Sequence, residues 1–296
     1  MRGAPFNEKQ PPARWFVAGR RGIFRRVADD DRLRDVPEPH RSFLGRCVDA
    51  LAADLRIVGV AGGGSLVTGG MDAFSDLDLV VAVEPAAYPQ VLDDRQRIAA
   101  GVGTLLASFT GDHVGEERLL ICLYDAPLLH VDFKFVSLPD VAVRVEDPLV
   151  LWERDGRLTR ALAAGAAEHP ARSAQWIEDR FWVWVHYVSA HVGRGELFEA
   201  LDALSVLHAL ALGPLALAGT GARPTGVRRL EQYAPDAARA LSATVAGYDA
   251  AGCLAALRAA VDAYRTLRPA GVEDRRDAER AAVAYLADVE RGRRNA

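Results

Sequence analysis

Two aspartates carry the most chemistry in this chain. Gly64-Ser65 is followed, after ten residues, by Asp76-Leu77-Asp78-Leu79-Val80-Val81. Side chains alternate faces along a strand, so Asp76 and Asp78 project together while Leu77 and Leu79 enter a core. Two carboxylates on one face repel each other unless a cation lies between them. Hard oxygen donors of this kind suit Mg²⁺, which characteristically shares protein carboxylates with substrate phosphates. Upstream, the turn Gly62-Gly63-Gly64-Ser65 lets backbone N–H groups approach a phosphate closely, and Ser65 adds a hydroxyl.

A third carboxylate lies on a later strand-like run, Leu129-His130-Val131-Asp132-Phe133-Lys134-Phe135. Val131, Phe133 and Phe135 form its apolar face; His130, Asp132 and Lys134 form the other. Set beside Asp76 and Asp78, that face brings three carboxylates and a lysine together. The only lysines in the chain are Lys9 and Lys134, so Arg supplies nearly all the positive charge. A compact point cation at Lys134 suits a triphosphate better than a planar guanidinium does. His130 shares the face but reads as a strand-end structural residue.

Gly64-Ser65, the spacer, Ser75-Asp76-Leu77-Asp78-Leu79 and the later Asp132 together resemble the DNA polymerase β-type nucleotidyltransferase superfamily. An α/β unit followed by a helical bundle is similar, within it, to the aminoglycoside 6-adenylyltransferase and lincosamide nucleotidyltransferase groups. The segment around Trp152-Glu153-Arg154-Asp155-Gly156 and the aromatic run Phe181-Trp182-Val183-Trp184 share in that resemblance. It implies two Mg²⁺ ions held by Asp76 and Asp78, with Gly64 and Ser65 on the β- and γ-phosphates. Asp132 would be either a third metal ligand or the base for the acceptor hydroxyl. The implied reaction is transfer of a nucleoside monophosphate, AMP from ATP first among the candidates, onto a hydroxyl of a small acceptor such as an aminoglycoside or lincosamide-like antibiotic. Two alternatives stay open: a transferase acting on a protein or endogenous metabolite, and a non-catalytic nucleotide-binding module.

Acceptor contacts are less legible. Glu178, Asp179 and Trp182 lie on one predicted helix and are candidates for an ammonium-bearing acceptor, the competing reading being a solvated face and a packing aromatic. Glu196, Glu199 and Asp202 pose the same choice. His186 and His191 are five apart on that helix, off the i, i+4 spacing of a metal pair.

The elements that must position these residues follow from periodicity. Apolar residues at 43, 44, 47, 51 and 55 predict a helix over 37–55. Strands are expected at 57–61, 77–83, 119–124 and 130–137, with a helix over 90–109. Beyond Leu158, Ala, Leu and Arg dominate, and helices are expected at 172–192, 196–212, 234–246, 250–267 and 273–292, broken at Gly213-Pro214 and between Gly219 and Gly226. The expectation is an α+β protein: an N-terminal arm (1–36), a mixed-sheet nucleotidyltransferase domain (37–160) and an all-α, acceptor-binding bundle (161–296), with the site in the cleft between them.

Composition bounds the partners. The chain has 296 residues, 50% of them hydrophobic, and a formal charge of −4, which suits a nucleoside triphosphate and a small acceptor rather than a polynucleotide. Arg20, Arg21, Arg25 and Arg26 read as a solvated arm. Leu201–Thr220, the most apolar stretch, carries Asp202, His208, Gly213 and Pro214 and reads as a buried helix followed by a break, not a membrane span. Cys47, Cys122 and Cys253 are far apart with no CxxC pair, which predicts reduced thiols in a cytoplasmic protein.

Overall fold

A computed structural model describes residues 30–294, so the Arg20–Arg26 cluster lies outside the described residues. The chain divides into two compact units between His169 and Pro170, rather than at 160/161. The later boundary has a physical reason. The segment after Leu158 still belongs to the sheet unit, because Leu158 is buried on the sheet and Ala167 bridges to Arg144.

The first unit begins with α1 (Glu38–Ala53), which carries prolines at its start and Glu38 in its first turn, as suits a helix N-terminus. Phe43, Leu44, Cys47, Val48 and Leu51 form its buried stripe. The sheet is built from β1 (Ile57–Gly62), β2 (Leu77–Val83), β3 (Leu105–Gly111), β4 (Glu116–Tyr124), β5 (Leu129–Ser137) and β6 (Leu149–Glu153). Its order is β3-β4-β5-β2-β1-β6. Only β2 and β5 pair in parallel; the other neighbours are antiparallel. Between the strands lie α2 (Ser65–Thr68), α3 (Tyr88–Ala100) and, after β6, α4 (Arg157–Leu162).

One core packs α1 and α3 on a sheet face through Val60, Leu79, Val81, Tyr124, Phe133 and Phe135. The other face carries α4, where Val58, Ala61, Ala82 and Val136 meet Leu158. At Gly59 that contact is close, for a Cβ there would lie 2.7 Å from Leu158 Cδ2. Leu33 and Val36, at the end of the expected arm, are buried in the first core.

The helix expected over 90–109 stops at Ala100, and 105–111 is the edge strand β3. Gly101 and Gly103 interrupt the helix, and β4 offers β3 an open edge for a full ladder. Leu106 and Phe109 remain exposed, so this strand lacks the inside–outside alternation that announces one in sequence.

The second unit is all helical. It comprises α5 (Ala174–Arg194), α6 (Leu197–Leu207), α7 (Gly213–Ala218), α8 (Leu230–Tyr233), α9 (Pro235–Leu241), α10 (Ala250–Leu267) and α11 (Arg276–Arg294). Its core joins Phe181, Trp182 and Val185 to Leu204, Leu257, Val261 and Tyr264. The break expected at Gly213-Pro214 does not form. A π-helical turn, His208–Leu212, joins α6 to α7, and Pro214 falls in the first turn of α7, where its missing N–H costs little. Leu197–Ala218 is thereby one stretch of 22 residues, long and apolar enough by length and composition to cross a membrane. Ala200, Leu204, Leu207, Ala211, Leu212 and Leu217 bury one side of it in the bundle core.

The fold class is therefore α+β, a six-stranded mixed sheet with helices followed by an all-α unit.

Candidate active site

The parallel pairing of β2 with β5 sets the geometry of the candidate residues. Its register sets Leu77 beside Val131, Asp78 beside Asp132 and Val80 beside Lys134. Leu77, Leu79, Val131 and Phe133 are buried on one face, so Asp78 and Asp132 stand as neighbours on the other. Asp76 ends the loop just before β2, and its charge raises the pKa of Asp132. Asp78 and Asp132 are thus strand neighbours with Asp76 close by, but among the described residues no three such side chains are set closely enough to hold a metal.

The loop that delivers Asp76 is held from both sides. Asp72 Oδ1 accepts from the Phe74 N–H at 2.9 Å and from Ser75 Oγ at 3.0 Å, closing an Asx-type turn. His40, buried on α1, donates from Nε2 to the Ser75 carbonyl at 2.8 Å. His40 is a positioning residue that sequence reasoning missed. Its only signal was a histidine on the edge of an apolar helix stripe.

The glycine turn seats itself on Asp78. Gly63 donates its backbone N–H to the Asp78 carbonyl at 2.9 Å. Gly64 has φ +55, and a Cβ there would lie 2.1 Å from Asp78 Oδ2. Glycine is required at Gly64 on both grounds, for its backbone angle and for the carboxylate packed against it. Ser65 follows at the start of α2 and is buried. The Gly64 N–H donates to Glu146 Oε1 at 2.6 Å. Glu146 lies 82 residues away in sequence, in the segment before β6, and had no motif to announce it.

Asp132 is electrostatically poised. Burial raises its pKa, the adjacent His130 lowers it, and Asp76 raises it again, leaving it above the usual carboxylate value. His130 Nε2 lies 2.9 Å from Asp132 Oδ1, and this contact offsets only part of the effect of burial. Lys134 is not a lone point charge: its Nζ lies 2.8 Å from Glu116 Oε2. Hydrogen bonds from Arg118 and then Lys134 hold the Glu116 carboxyl down at about 2 despite its partial burial.

These donors suit a divalent ion in kind. Asp76, Asp78 and Asp132 offer hard oxygens, while no group of three or more metal-binding side chains is preassembled among the described residues. Mg²⁺ usually takes one or two carboxylates and completes its shell with phosphate oxygens and water.

The acceptor candidates of the helical unit resolve differently. Glu178 is 1% exposed and accepts from the Arg275 N–H at 2.8 Å, from Trp182 Nε1 at 3.0 Å and from the Tyr264 hydroxyl, with Arg268 Nη1 at 3.4 Å. Trp182 is buried with it. Both are core residues with no surface to offer a ligand, a correction to their reading as acceptor contacts. Asp179 is partly exposed and accepts from Arg275 Nε at 2.8 Å and Gln175 Nε2 at 3.0 Å, which ties α5 to the segment before α11.

No protein-family model matches the chain, and no curated protein matches it. Among solved structures it is similar to an aminoglycoside 6-adenyltransferase from Bacillus subtilis, at 13% identity and a TM-score of 0.34 over 84% of this chain and 97% of that one. It is also similar to a nucleotidyltransferase-like protein from Exiguobacterium sibiricum, at 15% identity and a TM-score of 0.35 over 74% of this chain and 72% of that one. Each is a likeness to those proteins and assigns no activity to this one.

Proposed function

We propose that the chain is a Mg²⁺-dependent nucleotidyltransferase that moves a nucleoside monophosphate, AMP from ATP in the first instance, onto a hydroxyl of a small acceptor. The observation that carries this reading is the register of Asp78 beside Asp132, with Asp76 and the glycine turn at the same place. A raised carboxyl pKa suits a general base, because the ideal catalytic pKa lies near the working pH.

Asp76 and Asp78 would hold the metal, and the Gly64 turn with Ser65 would meet the phosphates. Bound Mg²⁺ would supply charge neutralisation on the triphosphate. Asp132 takes the proton of the acceptor hydroxyl. The oxygen forms a bond to the α-phosphorus, the bond from that phosphorus to the bridging oxygen breaks, and pyrophosphate leaves with the electron pair. Because Glu146 holds the Gly64 N–H, it must release it before a phosphate oxygen takes its place. The acceptor class we favour is an aminoglycoside or lincosamide-like antibiotic, in keeping with the sequence resemblance, and acceptor binding is assigned to the helical unit of a cytoplasmic enzyme.

The test is a turnover screen with Mg²⁺ and each of ATP, GTP, CTP and UTP against aminoglycosides and lincosamides. Pyrophosphate release and acceptor mass gain are read together, with Asp76→Asn and Asp78→Asn as controls. A nucleotidylated antibiotic absent from both controls is the expected result. Nucleotide binding without transfer would redirect the acceptor to a protein or metabolite, and full turnover in Asp78→Asn would overturn the reading.

A further inference from the structure

The pairing that sets Asp78 beside Asp132 continues across the sheet. β4 runs antiparallel to β5, with Leu123 opposite His130, Ile121 opposite Asp132 and Leu119 opposite Lys134. β3 in turn sets Phe109 opposite Ile121 and Ala107 opposite Leu123. Directly opposite residues share a face, so these five apolar side chains lie on the face that carries Asp132. Their strand neighbours Leu120, Cys122 and Tyr124 are buried on the other face.

The five form a contiguous patch that the fold leaves open. Farther along the same face, α4 packs on Ala82 and Val136 through Leu158. Among the described residues, none of the five belongs to that core or to the core on the opposite face. Phe109 is 52% exposed and Leu123 38%, while Leu119 and Ile121 are half-buried.

We propose that this patch is the acceptor's subsite beside the attacked hydroxyl, and that the acceptor carries an apolar group, an alkyl or thioalkyl substituent or a ring face, next to that hydroxyl. The inference rests on the transfer reading and deepens it. In that reading pyrophosphate leaves from the Gly64 turn, which follows β1 and packs on Asp78, and β1 lies on the far side of β2 from β5. An in-line displacement puts the attacking oxygen opposite the leaving one. A hydroxyl held at Asp132 therefore enters from the β5 side, and the carbon that bears it lies over β4. Strands are about 4.8 Å apart, so the patch extends about 10 Å beyond Asp132, the width of one or two rings. A polycation would find no carboxylate at these five positions, which present only carbon. Of the two acceptor classes proposed, the patch favours a lincosamide-like molecule, whose sugar bears alkyl and thioether groups, over a polyammonium aminoglycoside. The rest of the acceptor is left to the helical unit.

Methyl NMR on the full chain tests this without turnover, with Mg²⁺ and an ATP analogue carrying a methylene bridge between the α- and β-phosphorus. The chain has five isoleucines, of which Ile57 and Ile177 are buried and Ile121 is the reporter, its signal identified by Ile121→Val. The probes are lincomycin and streptomycin. Lincomycin should shift the Ile121 methyl saturably and leave Ile57 and Ile177 in place, and streptomycin should leave Ile121 unmoved. Phe109→Thr/Leu123→Thr should weaken lincomycin binding about tenfold with circular dichroism unchanged, since both side chains are exposed and threonine suits a strand. A lincomycin complex that leaves Ile121 unmoved, an equal shift with streptomycin, no saturable shift with either, or undiminished binding in the double variant overturns the proposal. Should the double variant unfold, the wild-type Ile121 signal decides. In turnover, the double variant should raise the KM for the acceptor and leave that for the nucleoside triphosphate unchanged. An unchanged acceptor KM sinks the subsite while transfer stands; lincomycin bound at Ile121 with no transfer to any acceptor sinks the transfer reading instead.

Discussion

Asp132 in the sheet unit and Glu178 in the helical unit are both carboxylates drawn out of water, and they end in opposite states. At Glu178, burial pushes the pKa up, but the Tyr264 hydroxyl, the Arg275 N–H, Trp182 and Arg268 together outweigh it and hold the group ionised. At Asp132, burial dominates, and the neighbouring His130 offsets only part of it. A buried charge whose partners are complete is architecture. One left incomplete beside another carboxylate costs stability, and such sites are where function concentrates.

The contrast is sharpest at Asp132. Asp132→Asn should lower transfer by about 10²- to 10⁴-fold, the usual contribution of a general base. Wild-type turnover should fall on the acid side at a pH above the ordinary carboxylate range, since the base must be ionised and its pKa is raised. Stability should move the other way. Between the unfolded and the raised folded pKa the native state binds more protons than the unfolded one, so this group's contribution falls as pH rises. Asp132→Asn should therefore melt higher than wild type at neutral pH, with the gap closing toward acid pH. A variant that is both inactive and less stable at neutral pH would place Asp132 with Glu178.

Glu178→Ala is the mirror experiment. Removing it strands Trp182 Nε1, the Tyr264 hydroxyl and the Arg275 N–H at once, while Arg268 keeps Asp274 and Glu279. A loss of about 3–5 kcal/mol is expected in chemical denaturation, as for breaking other buried charge pairs. A cost under about 1 kcal/mol would show that the network contributes little and would erase the contrast.

Gly64→Ala tests how closely the turn fits. The positive φ and the 2.1 Å approach to Asp78 Oδ2 should cost about 1–3 kcal/mol and displace the Asp78 carboxylate, lowering turnover more than stability alone explains. Wild-type turnover in this variant would detach the turn from the site.

The smallest effect is expected at Glu146, an acid of the sheet unit that accepts from the Gly64 backbone N–H. Glu146→Ala frees the Gly64 N–H, and the KM for the nucleoside triphosphate should fall by about two- to tenfold, the worth of one charge-assisted hydrogen bond given up on binding. An unchanged KM would mean that the contact and the phosphate do not compete.

Local pattern reached far in the sheet unit. The alternation in 129–135 correctly sorted Val131, Phe133 and Phe135 from His130, Asp132 and Lys134, because a strand has only two faces. It reached less far where partners decide. Nothing near Lys134 announced that Glu116 on β4 would neutralise it, or that His40 on α1 would anchor the loop before Asp76. The edge strand β3 was hidden for a related reason, since its exposed Leu106 and Phe109 break the alternation while β4 supplies the ladder that stabilises it.

Among the acids, residue type and spacing by themselves picked out the candidates: Asp76 and Asp78 two apart at the start of β2, and Asp132 alternating with an apolar face. Which of them are complete was a matter for the tertiary structure alone. Glu178 reads in sequence like any carboxylate on a helix, yet residues 86 to 97 positions away close around it. Spacing is written within a few residues by backbone geometry, whereas desolvation and hydrogen-bond completion depend on groups that only long-range folding brings within 3 Å or so.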